Sequence, residues 1–498
     1  MQPDKNIQIH FSASQKQTEK REEHGKLKSN RKIPVAKEKS SSITKVTSGE
    51  HSVGFNIITN SRYDTSRSSR LLTPIEAQRR NARLYGATDN KALRKRRRPT
   101  RSLSFKHTPI VPAAPKDAVT IKTNWVLSQL KQHIEQIDLP LILTTLFMAL
   151  AGLVAIYSAS LTYETFRFVF VQGVALVLGF IIMAVLSFTD YRQFIKHYRG
   201  IIAFNAVMLI FTFIFGSSVT ETSNANWIDL GFIKIQPSEF SKLLFIYSFS
   251  VHLGYVKDRL NKISTFITLF IHACLIFGLV LLQKDLGSLT IFLMIFICMC
   301  FAAGLSIWYY LCGAAITVGI SPFIWDRLSN YQKDRIMMCF DSSIDPNGTG
   351  IRYQQLRSQT AIGNGGITGA GFTHGAVTQS TSGALPAKHT DMIFATICEE
   401  WGLIGAIIIL TASAYLVYRV LKIALDCENS IGRFICVGAS ALLITQIIEN
   451  VGMCLGIMPV IGITFPFLSY GGSSALSSFI AIGMVLSVSV HKEKTFFS

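Results

Sequence analysis

Leu385-Pro386-Ala387-Lys388-His389-Thr390-Asp391-Met392-Ile393-Phe394-Ala395 is the point at which a polar stretch runs into a long apolar one. The apolar run that follows, Met392–Val417, is long enough to cross the roughly 30 Å hydrocarbon layer of a bilayer. A carboxylate, an ammonium and an imidazole therefore stand together where a helix is expected to enter a membrane. At such a surface Asp391 can meet a substrate that is half lipid and half polar.

Working outward, nine further apolar runs come close to spanning length: Leu139–Ser158, Phe168–Phe188, Ile201–Phe215, Phe240–Val256, Phe266–Leu282, Leu289–Ala303, Ile307–Ile324, Phe434–Ile457 and Ala475–Val490. The third and sixth are short. Apolar residues make up 49% of the chain and charged ones 16%, with a mean hydropathy of +0.35, too apolar for a soluble protein of 498 residues. The expected fold class is an all-α membrane protein with ten transmembrane helices over residues 139–490. Lys and Arg set its orientation. Arg192, Lys196, Arg199, Lys257, Arg259, Lys262, Arg419, Lys422, Arg433, Lys492 and Lys494 fall on one side, and only Arg167, Lys234 and Lys284 in the short loops of the other. Both termini, including residues 491–498, are thus expected to be cytoplasmic. A large extracytoplasmic loop, residues 325–391, then joins helices 7 and 8. A loop of that size is usually functional. Its Ala361-Ile362-Gly363-Asn364-Gly365-Gly366-Ile367-Thr368-Gly369-Ala370-Gly371 stretch suits tight turns, and it is no nucleotide fingerprint because no strand–helix unit surrounds it.

The remaining charge is segregated. Residues 1–125 hold 27 Lys and Arg against 10 Asp and Glu, which gives that segment +17 of the chain's formal +19. Rich in Ser and Thr and poor in apolar clusters, residues 1–124 are expected to be a disordered, basic cytoplasmic tail. Its densest run, Arg94-Lys95-Arg96-Arg97-Arg98, suits anionic lipid headgroups. Nucleic acid is not an expected partner, since no folded reader domain accompanies the run. The first 30 residues contain no apolar core of a cleavable signal peptide. Trp125, Val126, Leu127, Leu130, Ile134 and Ile137 recur at helical spacing, so residues 125–138 form either an amphipathic helix on the bilayer surface or the frayed start of the first span.

Ionisable residues inside spans are costly and face a partner or a cavity. Glu239 and Lys242, at i and i+3 after Pro237-Ser238, either neutralise one another or line a headgroup cavity. Asp285 follows Lys284 at a helix end. Glu399 and Glu400 cannot both face lipid, and Glu449-Asn450 pose the same question in the ninth span. Of nine cysteines only Cys339 is expected outside, so no disulfide framework is available.

In order along residues 139–490 stand Trp227-Ile228-Asp229-Leu230-Gly231, Gln236-Pro237-Ser238-Glu239-Phe240-Ser241-Lys242, Asp285-Leu286-Gly287, Tyr331-Gln332 with Arg335-Ile336, and Ala361-Ile362-Gly363. They are followed by Leu385-Pro386, His389-Thr390-Asp391, Glu399-Glu400, Met458-Pro459-Val460 and Pro466-Phe467-Leu468-Ser469-Tyr470-Gly471-Gly472-Ser473-Ser474. With these motifs at these intervals the chain resembles the SEDS family (shape, elongation, division and sporulation), membrane glycosyltransferases that polymerise peptidoglycan from lipid II. The resemblance implies ten spans, a place in the bacterial cytoplasmic membrane, and partners: lipid II, a class B penicillin-binding transpeptidase and other elongation or division proteins. Arg335-Ile336 and Thr378-Gln379 read more like the elongation branch than the division branch. Asn226, Lys284, Met392, Arg352 and Arg357 depart from the family's usual Arg, Pro, Phe, Gly and Gln.

Joining lipid II units requires a sugar 4-hydroxyl to attack an anomeric carbon as undecaprenyl pyrophosphate leaves. A carboxylate placed to take the hydroxyl proton contributes about 10²- to 10⁴-fold. The general base is expected to be Asp391, from its position and from the family's corresponding aspartate; the alternative is a helix N-cap, which Thr390-Asp391 also fits. Candidates for holding the pyrophosphate are Lys388, Arg335, Arg352 and Arg357, with Lys242. Arg352 and Arg357 alternatively pair with Asp341 and Asp345. His389 either orients substrate or packs in the loop. Trp227, Glu239, Ser469 and Ser473 complete the candidate substrate contacts, the serines lining a re-entrant turn or packing helices through small residues. No cluster has metal-ligand spacing and no cofactor is implied with certainty, while a divalent cation bridging pyrophosphate and a carboxylate stays open. A lipid flippase or transporter, or a non-catalytic scaffold of the cell-wall machinery, would use the same charges or the tail differently.

Overall fold

Without water, a chain satisfies its own peptide groups only as helices or closed sheets, and each of the ten apolar runs lies in a helix of the computed structural model. The structure describes residues 136–216, 226–229, 234–345, 348–350, 352–381 and 385–492. The basic tail, the juxtamembrane stretch up to residue 135 and residues 493–498 lie outside the described residues.

In chain order come α1 (Leu139–Ser160), α2 (Arg167–Phe188), α3 (Tyr198–Phe215), the strands β1 (Ile228–Asp229) and β2 (Lys234–Ile235), α4 (Pro237–Val256), α5 (Ile263–Leu282), α6 (Leu286–Ala303) and α7 (Ile307–Arg327). After them come α8 (Asn330–Met337), α9 (Tyr353–Gly365), α10 (Ile393–Leu425), α11 (Ser430–Leu455) and α12 (Gly472–Val490). Among the described residues, eight helices are long and apolar enough to cross a membrane: α1, α2, α3, α5, α6, α10, α11 and α12. In α4 the charges of Glu239 and Lys242, four serines and His252 dilute the apolar content. In α7 the apolar part is only Ile307–Phe323.

The helices α11 and α12 form the centre. In α12, 83% of the central stretch is buried, against 17% for Tyr191–Phe215 at the periphery. Close approach explains the seam between α12 and α2: a Cβ on Gly179 would lie 2.4 Å from the Phe479 ring, so glycine lets that ring lie against the α2 backbone. At the end of the bundle opposite Asp391, Arg419 grips Asp138 at 3.1 and 2.5 Å. Asp138 also caps α1 through the Leu141 N–H at 3.0 Å. At the same end Arg192 reaches the His491 carbonyl at 2.8 Å.

Three features differ from the sequence expectations. The fold is not wholly helical: β1 and β2 pair antiparallel, Ile228 opposite Ile235 and Asp229 opposite Lys234. Ala361–Gly365 complete α9 instead of turning, and the left-handed backbone begins at Gly366, with φ 52°. The expected single span from Met392 is a helix in two pieces. It runs for 33 residues and breaks at Gly402, whose φ of 66° and ψ of −164° only glycine adopts without strain. The break leaves peptide groups without helical partners. Residues 366–371 supply them, since Leu403 and Ile404 N–H donate to the carbonyls of Gly366 and Ile367 at 2.9 and 3.2 Å. Conversely, Ala370 and Gly371 N–H donate to the carbonyls of Glu399 and Glu400 at 2.9 and 3.1 Å.

Candidate active site

The site starts from the turn Ala387–Met392. Ala387 takes a left-handed φ of 52°. Its carbonyl accepts the N–H groups of Thr390 and Met392 at 3.0 and 3.1 Å. Three successive carbonyls of the turn are then tied to the core. Tyr470 N–H donates to His389 at 2.8 Å. Ser469 Oγ donates to Thr390 at 2.7 Å and accepts the Phe465 N–H at 2.8 Å. Asn450 Nδ2, on α11, donates to the carbonyls of both Asp391 and Ile463 at 2.8 Å. The backbone under Asp391 is therefore fixed by α11 and by the chain joining α11 to α12.

Its side chain is left free. The Asp391 carboxylate has no hydrogen bond or ion pair among the described residues. The N-cap of α10 is Met392, and no side chain caps that helix, so the capping alternative for Asp391 is not realised. The residue is half-buried. Gly462, at φ 75°, faces it: a Cβ there would stand 3.6 Å from Asp391 Oδ2. Burial, with no cation bonded to offset it, pushes the carboxyl pKa up to about 6. A base tuned that way is ionised at neutral pH and still accepts a proton readily.

Arg335, on α8, reaches the same neighbourhood, its Nη1 donating to the Val460 carbonyl at 2.8 Å, two residues before Gly462. Helix α9 carries Arg357, with Arg352 at its N-cap, and docks nearby through Gln355, Ser358 and Gln359 donating to the carbonyls of Met458, Cys454 and Leu455 at 2.6, 2.9 and 2.9 Å. Neither arginine pairs with Asp341 or Asp345. Those carboxylates accept backbone N–H groups instead, Asp341 from Ser343 and Asp345 from Thr349, Gly350 and Arg352. Arg357 lies over the Tyr353 ring at 5.5 Å.

Other candidates are occupied elsewhere. Lys388 is fully buried, donates to Thr162 Oγ1 at 2.5 Å and to the Thr378 carbonyl, and lies over the Tyr163 ring. Burial lowers its pKa to about 8 against the opposing pull of Glu400 and Glu399. His389 packs among Tyr163, Phe168 and Tyr470, with ring centroids 5.5, 4.6 and 5.5 Å away. Burial and then the Lys388 charge lower its pKa to about 4, so it is neutral at physiological pH. Lys242 and Glu239 close a buried pair at 2.7 Å, with Ser477 Oγ on the second carboxylate oxygen at 2.9 Å. Ser473 Oγ accepts the Gln236 N–H at 3.1 Å and so ties α12 to the entry of α4. Trp227 is half-buried beside the β pair.

Sequence reasoning gave Glu399, Glu400 and Asn450 no specific partner. Glu399 is fully buried and accepts the Val377 and Thr378 N–H groups at 2.7 and 2.8 Å. Glu400 accepts from Ser158 Oγ and from Gln379 Nε2, the latter at 3.1 Å. Both glutamates point into the bundle. Their adjacency within an apolar run was the available signal, but the partners lie some 20 residues upstream and on α1.

Comparison with known proteins completes the picture. A family model described as a cell cycle protein (FTSW_RODA_SPOVE) matches residues 138–494. The probable peptidoglycan glycosyltransferase FtsW of Geobacter metallireducens is 33% identical over 373 residues, covering 73% of this chain and 97% of its own. The peptidoglycan glycosyltransferase MrdB of Escherichia coli is 35% identical over 273 residues, 54% of this chain and 71% of its own. Among solved structures, a chain of a peptidoglycan synthase complex superposes with a TM-score of 0.62 at 25% identity, covering 72% of this chain and 99% of that one. The matched span takes in the broken helix, the Asp391 turn and the seam that holds it, and by that match the chain belongs to the FtsW/RodA/SpoVE family, the SEDS proteins.

Proposed function

We infer that this chain is a peptidoglycan glycosyltransferase that polymerises lipid II, with Asp391 as the general base of sugar transfer. Relatives named peptidoglycan glycosyltransferase match it along most of their length. The observation that carries the residue assignment is a carboxylate fixed through its main chain and left, among the described residues, without a partner for its side chain. Asp391 takes the proton of the acceptor sugar hydroxyl while that oxygen bonds to the donor's anomeric carbon. The bond from that carbon to the pyrophosphate oxygen breaks, and undecaprenyl pyrophosphate departs with the electron pair. A single displacement of this kind inverts an α-linked donor to a β-linked product.

Arg335, Arg352 and Arg357 supply the positive charge for the leaving group. Two observations support this: Arg335 of α8 reaches the Val460 carbonyl while α9 docks on the Met458, Cys454 and Leu455 carbonyls, and Arg352 and Arg357 make no ion pair with Asp341 or Asp345 among the described residues. Lys388 and His389 act as positioning residues, since their side chains pack beneath the turn. Ser469 and Asn450 do the same from the other side.

The ten-helix membrane layout treats α4 and α7 as spans beside the eight apolar ones, and puts both termini and the end bearing Arg192, Arg419 and Lys492 in the cytoplasm. The spacing of Lys and Arg supports it. A class B penicillin-binding transpeptidase is the expected partner, in keeping with the fold shared with a chain of a peptidoglycan synthase complex. The elongation reading rests on Arg335-Ile336 and Thr378-Gln379. Relatives named FtsW and MrdB match at similar identity, so the transpeptidase that co-purifies decides the branch.

The decisive measurement is glycan growth from labelled lipid II by the purified chain with its transpeptidase. Loss of polymer in Asp391→Asn, with the transpeptidase still bound, supports the assignment. Undiminished polymer removes Asp391 from catalysis, and lipid II crossing vesicles without polymerisation replaces the function with that of a flippase.

A further inference from the structure

Gln172 stands in the second turn of α2, fully buried in an otherwise apolar stretch. An amide side chain offers a donor and an acceptor side by side, and both are spent on one short turn. Its Nε2 donates to the Ser469 carbonyl at 3.3 Å, and its Oε1 accepts the Gly471 N–H at 3.1 Å. The residue between those two grips is Tyr470. Its N–H donates to the His389 carbonyl at 2.8 Å, while Ser469 Oγ donates to the Thr390 carbonyl at 2.7 Å. Gln172 thus reaches the Asp391 turn at one remove, through the two residues that hold the carbonyls just before that of Asp391.

The segment it grips needs holding. Phe467 sits at a left-handed φ of 66°, a conformation that costs a residue with a Cβ and persists only where its surroundings fix it. The same face of α2 bears on the Asp391 turn one helical turn earlier. Phe168, four residues before Gln172, has its ring centroid 4.6 Å from that of His389 and 5.1 Å from that of Tyr470. Removing the amide strands a buried carbonyl and a buried N–H on either side of Tyr470. The turn then shifts to satisfy them, and the His389 and Thr390 carbonyls shift with it.

We propose that Gln172 is a positioning residue for sugar transfer: by fixing Ser469–Gly471 from α2, it sets where the Asp391 carboxylate stands against the acceptor hydroxyl. This role rests on Asp391 as the general base. Gln172 itself touches neither substrate nor the carboxylate, so its whole effect on rate passes through that base.

The test is a double-mutant cycle on glycan growth from labelled lipid II, with rates taken per mole of chain bound to its transpeptidase. Gln172→Leu should lower kcat by about tenfold and leave KM for lipid II near that of the parent. In the Asp391→Asn background the same substitution should change the residual rate by less than about twofold, because no base remains to misplace. A merely structural role lowers both backgrounds alike. Should Gln172→Leu fail to fold, Gln172→Glu enters the same cycle: it keeps the acceptor for Gly471 N–H and loses the donor to Ser469. Parent kcat in the Gln172 variant overturns the proposal, and so does an equal fall in both backgrounds, with the role of Asp391 untouched. If Asp391→Asn alone polymerises at the parent rate, the general-base reading fails and takes the proposal with it.

Discussion

Asp391 and Glu399 sit eight residues apart on one stretch of chain and are used in opposite ways. Glu399 commits both carboxylate oxygens to backbone N–H groups, and Gly375 has to be glycine beside it because a Cβ would approach Oε2 to 2.6 Å. Asp391 has its carbonyl held by Asn450, its neighbours' carbonyls held by Ser469 and Tyr470, and its carboxylate held by none of the described residues. A group that holds a fold together gives up its lone pairs to do so. One that performs chemistry is anchored through its peptide, so that its lone pairs stay available.

The sharpest way to break this contrast is to remove each charge in turn. Asp391→Asn should lower the rate of glycan growth by about 10²- to 10⁴-fold while shifting melting little, because no bond is lost. Glu399→Gln should do the reverse. It sets an amide N–H against a buried backbone N–H and costs on the order of 2–3 kcal/mol of stability, read as lowered melting and poor yield. If both variants lose activity at unchanged stability, the division between them fails.

Gly402→Ala tests the support behind Glu399. The residue's backbone is open only to glycine, and an added Cβ would lie 2.3 Å from the Gly369 nitrogen. A loss of roughly 1–3 kcal/mol is expected, and an unchanged melting temperature would mean that the break in α10 is not fixed by this contact.

The Asp391 pKa of about 6 adds a pH dependence. The base works ionised, so kcat should be level above neutrality and fall about tenfold per unit below pH 6. A flat profile between pH 5 and 7.5 would assign the proton to another group. Asn450→Ala should lower kcat by about tenfold, since misplacing a reacting group by an ångström costs up to ~10²-fold, and should leave the pH inflection in place. The smallest effect is expected of Gly462→Ala, which places a methyl 3.6 Å from the carboxylate at a φ of 75° and costs about 1 kcal/mol.

Much of this was legible in the sequence. Ten hydrocarbon runs announce their helices because peptide groups in lipid have no other solution, and the Lys388–Asp391 stretch marks itself by its polarity against Met392–Val417. The spacing of Glu239 and Lys242 allowed either an ion pair or a headgroup cavity, and the structure shows the pair at 2.7 Å. Hidden were the contacts made between distant segments. Lys388 reads as a surface cation, yet it turns inward to Thr162 and Thr378, 226 and 10 residues away. Asn450 reads as a polar residue in an apolar span, and its bridge from Asp391 to Ile463 depends on how three segments meet. The break at Gly402 was concealed because a single glycine in an apolar run is common, and only the residues that mend it show that it is used.

That mend also orders the making of the protein. Residues 366–371 leave the ribosome before residues 399–404, so the segment that completes the interrupted helix is synthesised ahead of the interruption. The exposed amides and carbonyls around Gly402 thus find their partners already waiting, and the upper piece of α10 need never pass through lipid with them bare.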